Sequence, residues 1–265
     1  MSVPASETPP PPAVLQNSSE ARIRWIEWFS IYLLSFGGSL FISLSFLFRG
    51  YHPTPELTAM VAQASPERYL QKIVVAVASL SLLYCVLARR GQSLGSLGFV
   101  RFRWSDLLAG VLLAGVAYVA AIAVDVVGVL ATYFLSGGRV VFPTDTQNMG
   151  WLSGESFRQS GTLSIAFLAV LRVTAMVVNP VHEEVVARAF TQTEWENGSR
   201  HSPAFAAVLS AVLQGAYHLY QGISAAVGLA VMFLCFGFFF TRQRRILPVI
   251  IAHLLFDAIA LISYW

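Results

Sequence analysis

Long apolar runs constrain this chain more than any other feature of its sequence. Residues 28–48 form 21 consecutive positions without a charged side chain. About 20 apolar residues in a helix cross the hydrocarbon core of a bilayer, which is about 30 Å thick. Further apolar runs follow at residues 73–88, 107–135, 163–178, 203–220, 223–240 and 247–265. The pattern predicts an all-α protein, a polytopic bundle of seven to eight transmembrane helices.

The composition agrees with an integral membrane protein. Hydrophobic residues make up 56% of the 265 positions and charged residues only 12%, against about 25% charged residues in a soluble domain. Residues 21–265 are therefore expected to form one membrane domain. Residues 1–20 hold five prolines among small polar residues, which predicts a disordered tail. The sequence has no Lys/Arg run of the kind that binds nucleic acid, so the expected partner is the lipid bilayer.

Two further signals concern orientation and helix ends. With the N-terminus placed in the cytoplasm, ten basic residues fall on inside segments and five on outside segments, which predicts a cytoplasmic N-terminus. Asn179-Pro180 and Ser202-Pro203 each combine a good N-cap with a proline at the first helical position,. The first pair predicts a break in the fourth span, and this break leaves the count between seven and eight.

Ionisable residues at membrane depth are costly and need a reason. Glu184 and Arg188 are four residues apart, so on a helix they share a face and form a favourable pair,. Glu183 is rotated by about 100° from Glu184 and is the member without this partner, as a general base requires. The alternative is that both glutamates belong to an interfacial cluster of ion pairs.

Two further sets of polar residues lie in later spans. His218 is near the end of the fifth span, and His253 and Asp257 share one face of the last helix,. Each set alone is also compatible with a local polar contact that steadies a helix. Because few other ionisable groups are nearby, we expect them to converge with the glutamates on one site. Asp125 and Arg172, in the third and fourth spans, are expected to form an ion pair.

The spacings resemble the motifs of the CAAX protease and bacteriocin-processing family (Abi-type) of membrane proteins. The segment Glu-Glu-Val-Val-Ala-Arg at 183–188 resembles its EExxxR motif. His218 resembles the histidine of its FxxxH motif, although Gln214 stands in place of the phenylalanine. His253 and Asp257 resemble the third motif, HxxxN or HxxxD. The resemblance covers roughly the last two thirds of the chain, and the motifs occupy a core at about 160–265.

The resemblance implies an intramembrane endopeptidase of the glutamate type that acts on a membrane-associated peptide or protein. It implies catalytic roles for Glu183, His218, His253 and Asp257, and structural support of the site from Glu184 and Arg188. The first two would activate a water molecule, and His253 with residue 257 would stabilise the oxyanion. An ionised Asp257 cannot donate a hydrogen bond, so we expect it to hold His253 protonated.

Other functions remain open at this level. One glutamate and two histidines are a plausible zinc set, but the sequence has no HExxH motif, and we expect a reaction without a metal or other cofactor. The same residues could bind a peptide without cutting it, in a scaffold or a self-protection protein. A proton-coupled transporter would use Glu183 and His218 as a relay, although no internal repeat supports it. Nothing in the sequence indicates a prenyl-binding pocket.

Overall fold

The structure, a computed structural model, describes residues 18–48, 66–135, 162–199 and 201–263. Every regular element in these ranges is helical, which confirms the all-α prediction. The α-helices are α1 (Ser18–Phe48), α2 (Pro66–Arg89), α3 (Trp104–Leu135), α4 (Thr162–Glu183), α5 (Thr191–Ser199), α6 (Pro203–Tyr217), α7 (Ile223–Gln243) and α8 (Leu247–Ser263). A π-helical segment, Glu184–Phe190, joins α4 to α5, and 3₁₀ turns occupy Leu94–Leu97 and Leu219–Gln221.

Five stretches of helix are long and apolar enough to cross a membrane. They are Ser19–Phe48, Pro66–Arg89, Trp104–Leu135, Ala166–Gly198 and Ile223–Gln243. Two shorter apolar helices, Pro203–Tyr217 and Leu247–Ile259, complete a set of seven within the described ranges. The protein is therefore an integral membrane helix bundle.

The start of α1 differs from the predicted end of the tail. α1 begins at Ser18, so residues 18–20 are helical although they were assigned to the disordered tail. The rest of that predicted tail, residues 1–17, lies outside the described part of the chain.

The predicted helix break at Asn179-Pro180 is wrong. α4 runs through Pro180 to Glu183 and continues without interruption into the π-helical segment and α5. Proline cannot donate a hydrogen bond to the carbonyl of Met176, and its ring crowds that carbonyl. Membrane helices tolerate this because packing against neighbouring helices compensates for the lost bond. Ser202, by contrast, caps α6 as predicted, accepting a hydrogen bond from the amide of Phe205 at 3.2 Å.

The directions of the helices follow from contacts between them. Arg90 near the end of α2 bonds Glu27 near the start of α1, so these helices are antiparallel. Ser79 Oγ lies 2.7 Å from His182 Nε2, which fixes the depth of α2 against α4 beside the first motif. Both residues are buried.

The contact between α3 and α8 is close because it includes a glycine. A Cβ atom at Gly110 would lie 2.6 Å from Ile251 Cγ2 and 2.9 Å from the Pro248 carbonyl oxygen. Small residues allow membrane helices to approach each other in this way. The contact helps to hold α8, which carries the third motif, at a defined depth in the bundle.

The predicted ion pair between Asp125 and Arg172 is wrong. The exposed carboxylate of Asp125 lies on α3 beside Gly228 of α7, whereas Arg172 is buried on α4, the helix that packs against α2. No ion pair joins these two residues, both of which the structure describes. The positions of two residues within their predicted spans therefore do not show whether the helices that carry them are neighbours.

Candidate active site

The first motif lies where the helix widens from α to π geometry. Glu184–Phe190 is π-helical, and all seven of its residues are buried. The amide and the hydroxyl of Thr191 both donate to the carbonyl of Val186, five residues earlier, the hydroxyl at 2.8 Å. Single π turns inside α-helices frequently mark functional sites. Here the transition occurs between Glu183 and Glu184, and the two carboxylates meet different neighbours.

Glu183 is buried and bound by neutral donors through both carboxylate oxygens. Asn179 Nδ2 donates to Oε1 at 2.9 Å, and the Tyr217 hydroxyl donates to Oε2 at 3.0 Å. His218 Nε2 lies 3.7 Å from Oε2. Glu183, expected to be the carboxylate without a partner, therefore has two hydrogen-bond donors among the described residues. The structure brings Glu183 and His218 together from two different helices.

The tautomer of His218 follows from its second contact. His218 ends α6 as its C-cap, and its Nδ1 lies 3.0 Å from Gln221 Nε2. In this orientation of the amide, nitrogen can only donate, so Nδ1 accepts and the ring proton is on Nε2, facing Glu183. Phe233 stacks on the imidazole, with ring centroids 5.8 Å apart.

Glu184 connects the first motif with the third. Arg188 Nε donates to Oε2 of Glu184 at 3.2 Å, which confirms the predicted pair. Oε1 of the same carboxylate lies 2.8 Å from His253 Nδ1. A carboxylate accepts only, so the Nδ1 proton points to Glu184 and fixes the orientation of the ring. The Glu184 and Arg188 side chains are fully buried.

The remaining guanidinium nitrogens of Arg188 bond two residues of α6. Nη1 donates to Ser210 Oγ at 3.1 Å, and Nη2 donates to Oε1 of Gln214. Gln214 is fully buried. This contact gives a physical reason for glutamine where the resembling motif has phenylalanine: it satisfies a buried cation.

Asp257 lies within ion-pair distance of His253 but is not hydrogen bonded to it. Its Oδ1 lies 3.8 Å from His253 Nε2, which is beyond hydrogen-bond distance. The side chain of Asp257 is 31% exposed, against 6% for His253. The group that is hydrogen bonded to this imidazole is Glu184. Lys72 of α2 interacts electrostatically with both Asp257 and Glu183, so these two carboxylates are close to a cation that sequence reasoning did not associate with the site.

Sequence reasoning also missed Asn179, Tyr217 and Ser210. Asn179 carried a usable signal, since it precedes Glu183 by four residues, the spacing at which helical side chains meet. Tyr217 directly precedes a motif histidine, but nothing in the sequence shows that its hydroxyl turns to Glu183. Among the described residues, no three His, Cys, Asp or Glu side chains are arranged to hold a metal ion.

Residues 164–259 match the family described as type II CAAX prenyl endopeptidase Rce1-like. The matched region contains all three motifs, from Glu183 to Asp257. Neither the curated proteins nor the solved structures gave a match.

Proposed function

From the premise that residues 164–259 are an Rce1-like domain, consistent with the family of CAAX-type intramembrane proteases, we propose that Glu183 and His218 activate water to cut a peptide bond. The substrate is a membrane-associated peptide or protein. The observation that supports this most directly is the 3.7 Å approach of the Glu183 carboxylate and the His218 imidazole, which come from different helices. Both side chains are largely buried, and a general base must lie within reach of the proton that it removes.

In this mechanism Glu183 is the base and His218 orients the water. His218 presents an N–H through Nε2 and cannot accept a proton there, so the proton of the water passes to the carboxylate. The water oxygen then attacks the carbonyl carbon of the scissile bond. When the tetrahedral intermediate collapses, the C–N bond breaks and Glu183 returns the proton to the leaving amine. The products are a carboxylic acid and an amine, which become a carboxylate and an ammonium group by exchange of that acid proton, and no covalent enzyme intermediate is needed.

His253 stabilises the oxyanion in this proposal. Its Nδ1 proton is held by Glu184, so the ring can donate to substrate only through Nε2, the nitrogen on the side of Asp257. A donor fixed in advance toward developing negative charge is an effective form of catalysis. Glu184 and Arg188 then support the site by orienting His253, and Asp257 favours the charged imidazole.

The proposal is tested by peptide cleavage with the purified protein in lipid bilayers. Glu183→Gln is expected to lose about 100- to 10,000-fold in rate, the usual contribution of a general base. Glu196→Gln is the matched control, because Glu196 lies on the same continuous helix but pairs with Arg244, away from the three motifs. Full activity of Glu183→Gln would refute the mechanism. Binding of peptides by the unsubstituted protein without any cleavage would instead favour a non-catalytic binding protein.

A further inference from the structure

Tyr217 makes a contact with Glu183 that the three motifs do not include. Its side chain is 2% exposed, and its hydroxyl donates to Oε2 of Glu183 at 3.0 Å. The ring stacks parallel on Phe36 of α1, with centroids 4.5 Å apart. The ring is therefore held by packing, and its hydroxyl is directed at the carboxylate in a place where water competes little for it.

The same helix also supports the other glutamate of the first motif. Gln214 precedes Tyr217 by nearly one helical turn and is fully buried. Its Oε1 atom accepts from Arg188, which is paired with Glu184. Side chains of α6 thus support both glutamates, Glu184 through Arg188 and Glu183 through Tyr217.

We propose that Tyr217 is a positioning residue for Glu183. The inference rests on the proposed function, since it assigns a role to the donors around its base. A carboxylate oxygen has two acceptor positions, so Oε2 can receive the water proton at one while Tyr217 occupies the other. Together with Asn179 on Oε1, the hydroxyl fixes the plane of the carboxylate. Without it, Oε2 can rotate away from His218.

Tyr217→Phe tests this role because it removes the hydroxyl and keeps the ring on Phe36. A displacement of about 1 Å at the reacting groups can lower a rate about 100-fold, so kcat is expected to fall about 10- to 100-fold. KM should stay within about twofold, because the contact positions the base and does not bind substrate.

Tyr32→Phe is the matched control. Tyr32 is also buried, packs on the same Phe36 ring and donates one hydrogen bond, but to the Leu213 carbonyl at 3.1 Å. A purely structural role of Tyr217 predicts equal losses of thermal stability and of kcat in the two variants. That result would overturn the proposal, whereas a selective loss of kcat in Tyr217→Phe supports it.

Infrared spectroscopy measures the contact without any turnover. The carboxylate stretching band of Glu183 is identified by its loss in Glu183→Gln, and Tyr217→Phe should shift it. Ser210→Ala, which removes an acceptor of Arg188 on the same helix, should leave it in place. An unmoved band in Tyr217→Phe overturns the contact itself. A shifted band in a protein that cleaves no peptide refutes the proposed function, and the positioning role with it.

Discussion

Replacing Arg188 by methionine tests whether the buried polar network holds the site together. Arg188 is fully buried, and its guanidinium bonds Glu184, Ser210 and Gln214. The variant leaves the buried Glu184 carboxylate with His253 as its remaining hydrogen-bond partner among the described residues. Removing one member of a buried ion pair costs about 3–5 kcal/mol when the other charge stays buried without compensation. Because His253 still compensates Glu184 in part, we expect the lower end of this range. No screening by solvent reduces this value, since both side chains are 0% exposed.

A matched substitution on the surface separates this effect from the loss of any arginine. Arg89 pairs with Glu27, but its side chain is 58% exposed, and Glu27 keeps Arg90 as a second partner. Arg89→Met should therefore cost about 1 kcal/mol or less. The free energy of unfolding of each variant is measured in mixed micelles in which the fraction of denaturing detergent is raised. Circular dichroism of the helices is the signal.

The comparison of Arg188→Met with Arg89→Met has one outcome that supports the reasoning and one that contradicts it. Arg188→Met is expected to be at least about 2 kcal/mol less stable than Arg89→Met, the difference between the two ranges above. Adding Glu184→Leu to Arg188→Met should recover part of the loss, because that pair of residues is then uncharged. If Arg188→Met unfolds within about 1 kcal/mol of Arg89→Met, the pair is not stabilising the bundle in the way its burial indicates.

Three further expectations follow from other contacts. Gly110→Ala should destabilise the bundle by about 1–3 kcal/mol in the same titration, because the new methyl group meets α8,. Gly115→Ala, with open space around it, should not destabilise it. Equal effects of the two substitutions would argue against the close approach of α3 and α8. Ser79→Ala should cost about 1–3 kcal/mol by leaving a buried imidazole without its partner,, more than Ser45→Ala, whose hydroxyl bonds only its own helix. Cleavage should survive dialysis against a zinc chelator; a stoichiometric zinc required for activity would refute the assignment of water activation to Glu183 and His218 alone.

The sequence alone was enough to predict the membrane helix bundle. The length of an apolar run directly predicts a membrane-spanning helix, because it can be compared with the thickness of the bilayer core. The Glu184–Arg188 pair was also predictable, because a four-residue spacing on a helix brings side chains together whatever surrounds it. The three motifs indicated a resemblance to the family, and the match of residues 164–259 to the Rce1-like family model agrees with it.

The tertiary structure alone decided which segments meet and which atoms face each other. Packing against neighbouring helices allows α4 to continue through Pro180, although the local preferences of Asn179 and Pro180 favour a break there. The crossing and depth of the helices direct Glu184 to His253 and Tyr217 to Glu183, and these contacts span 69 and 34 residues of chain. No spacing in the sequence encodes them. Local rules describe neighbours along one helix, whereas the site is built from side chains on several helices whose relative rotation only packing determines.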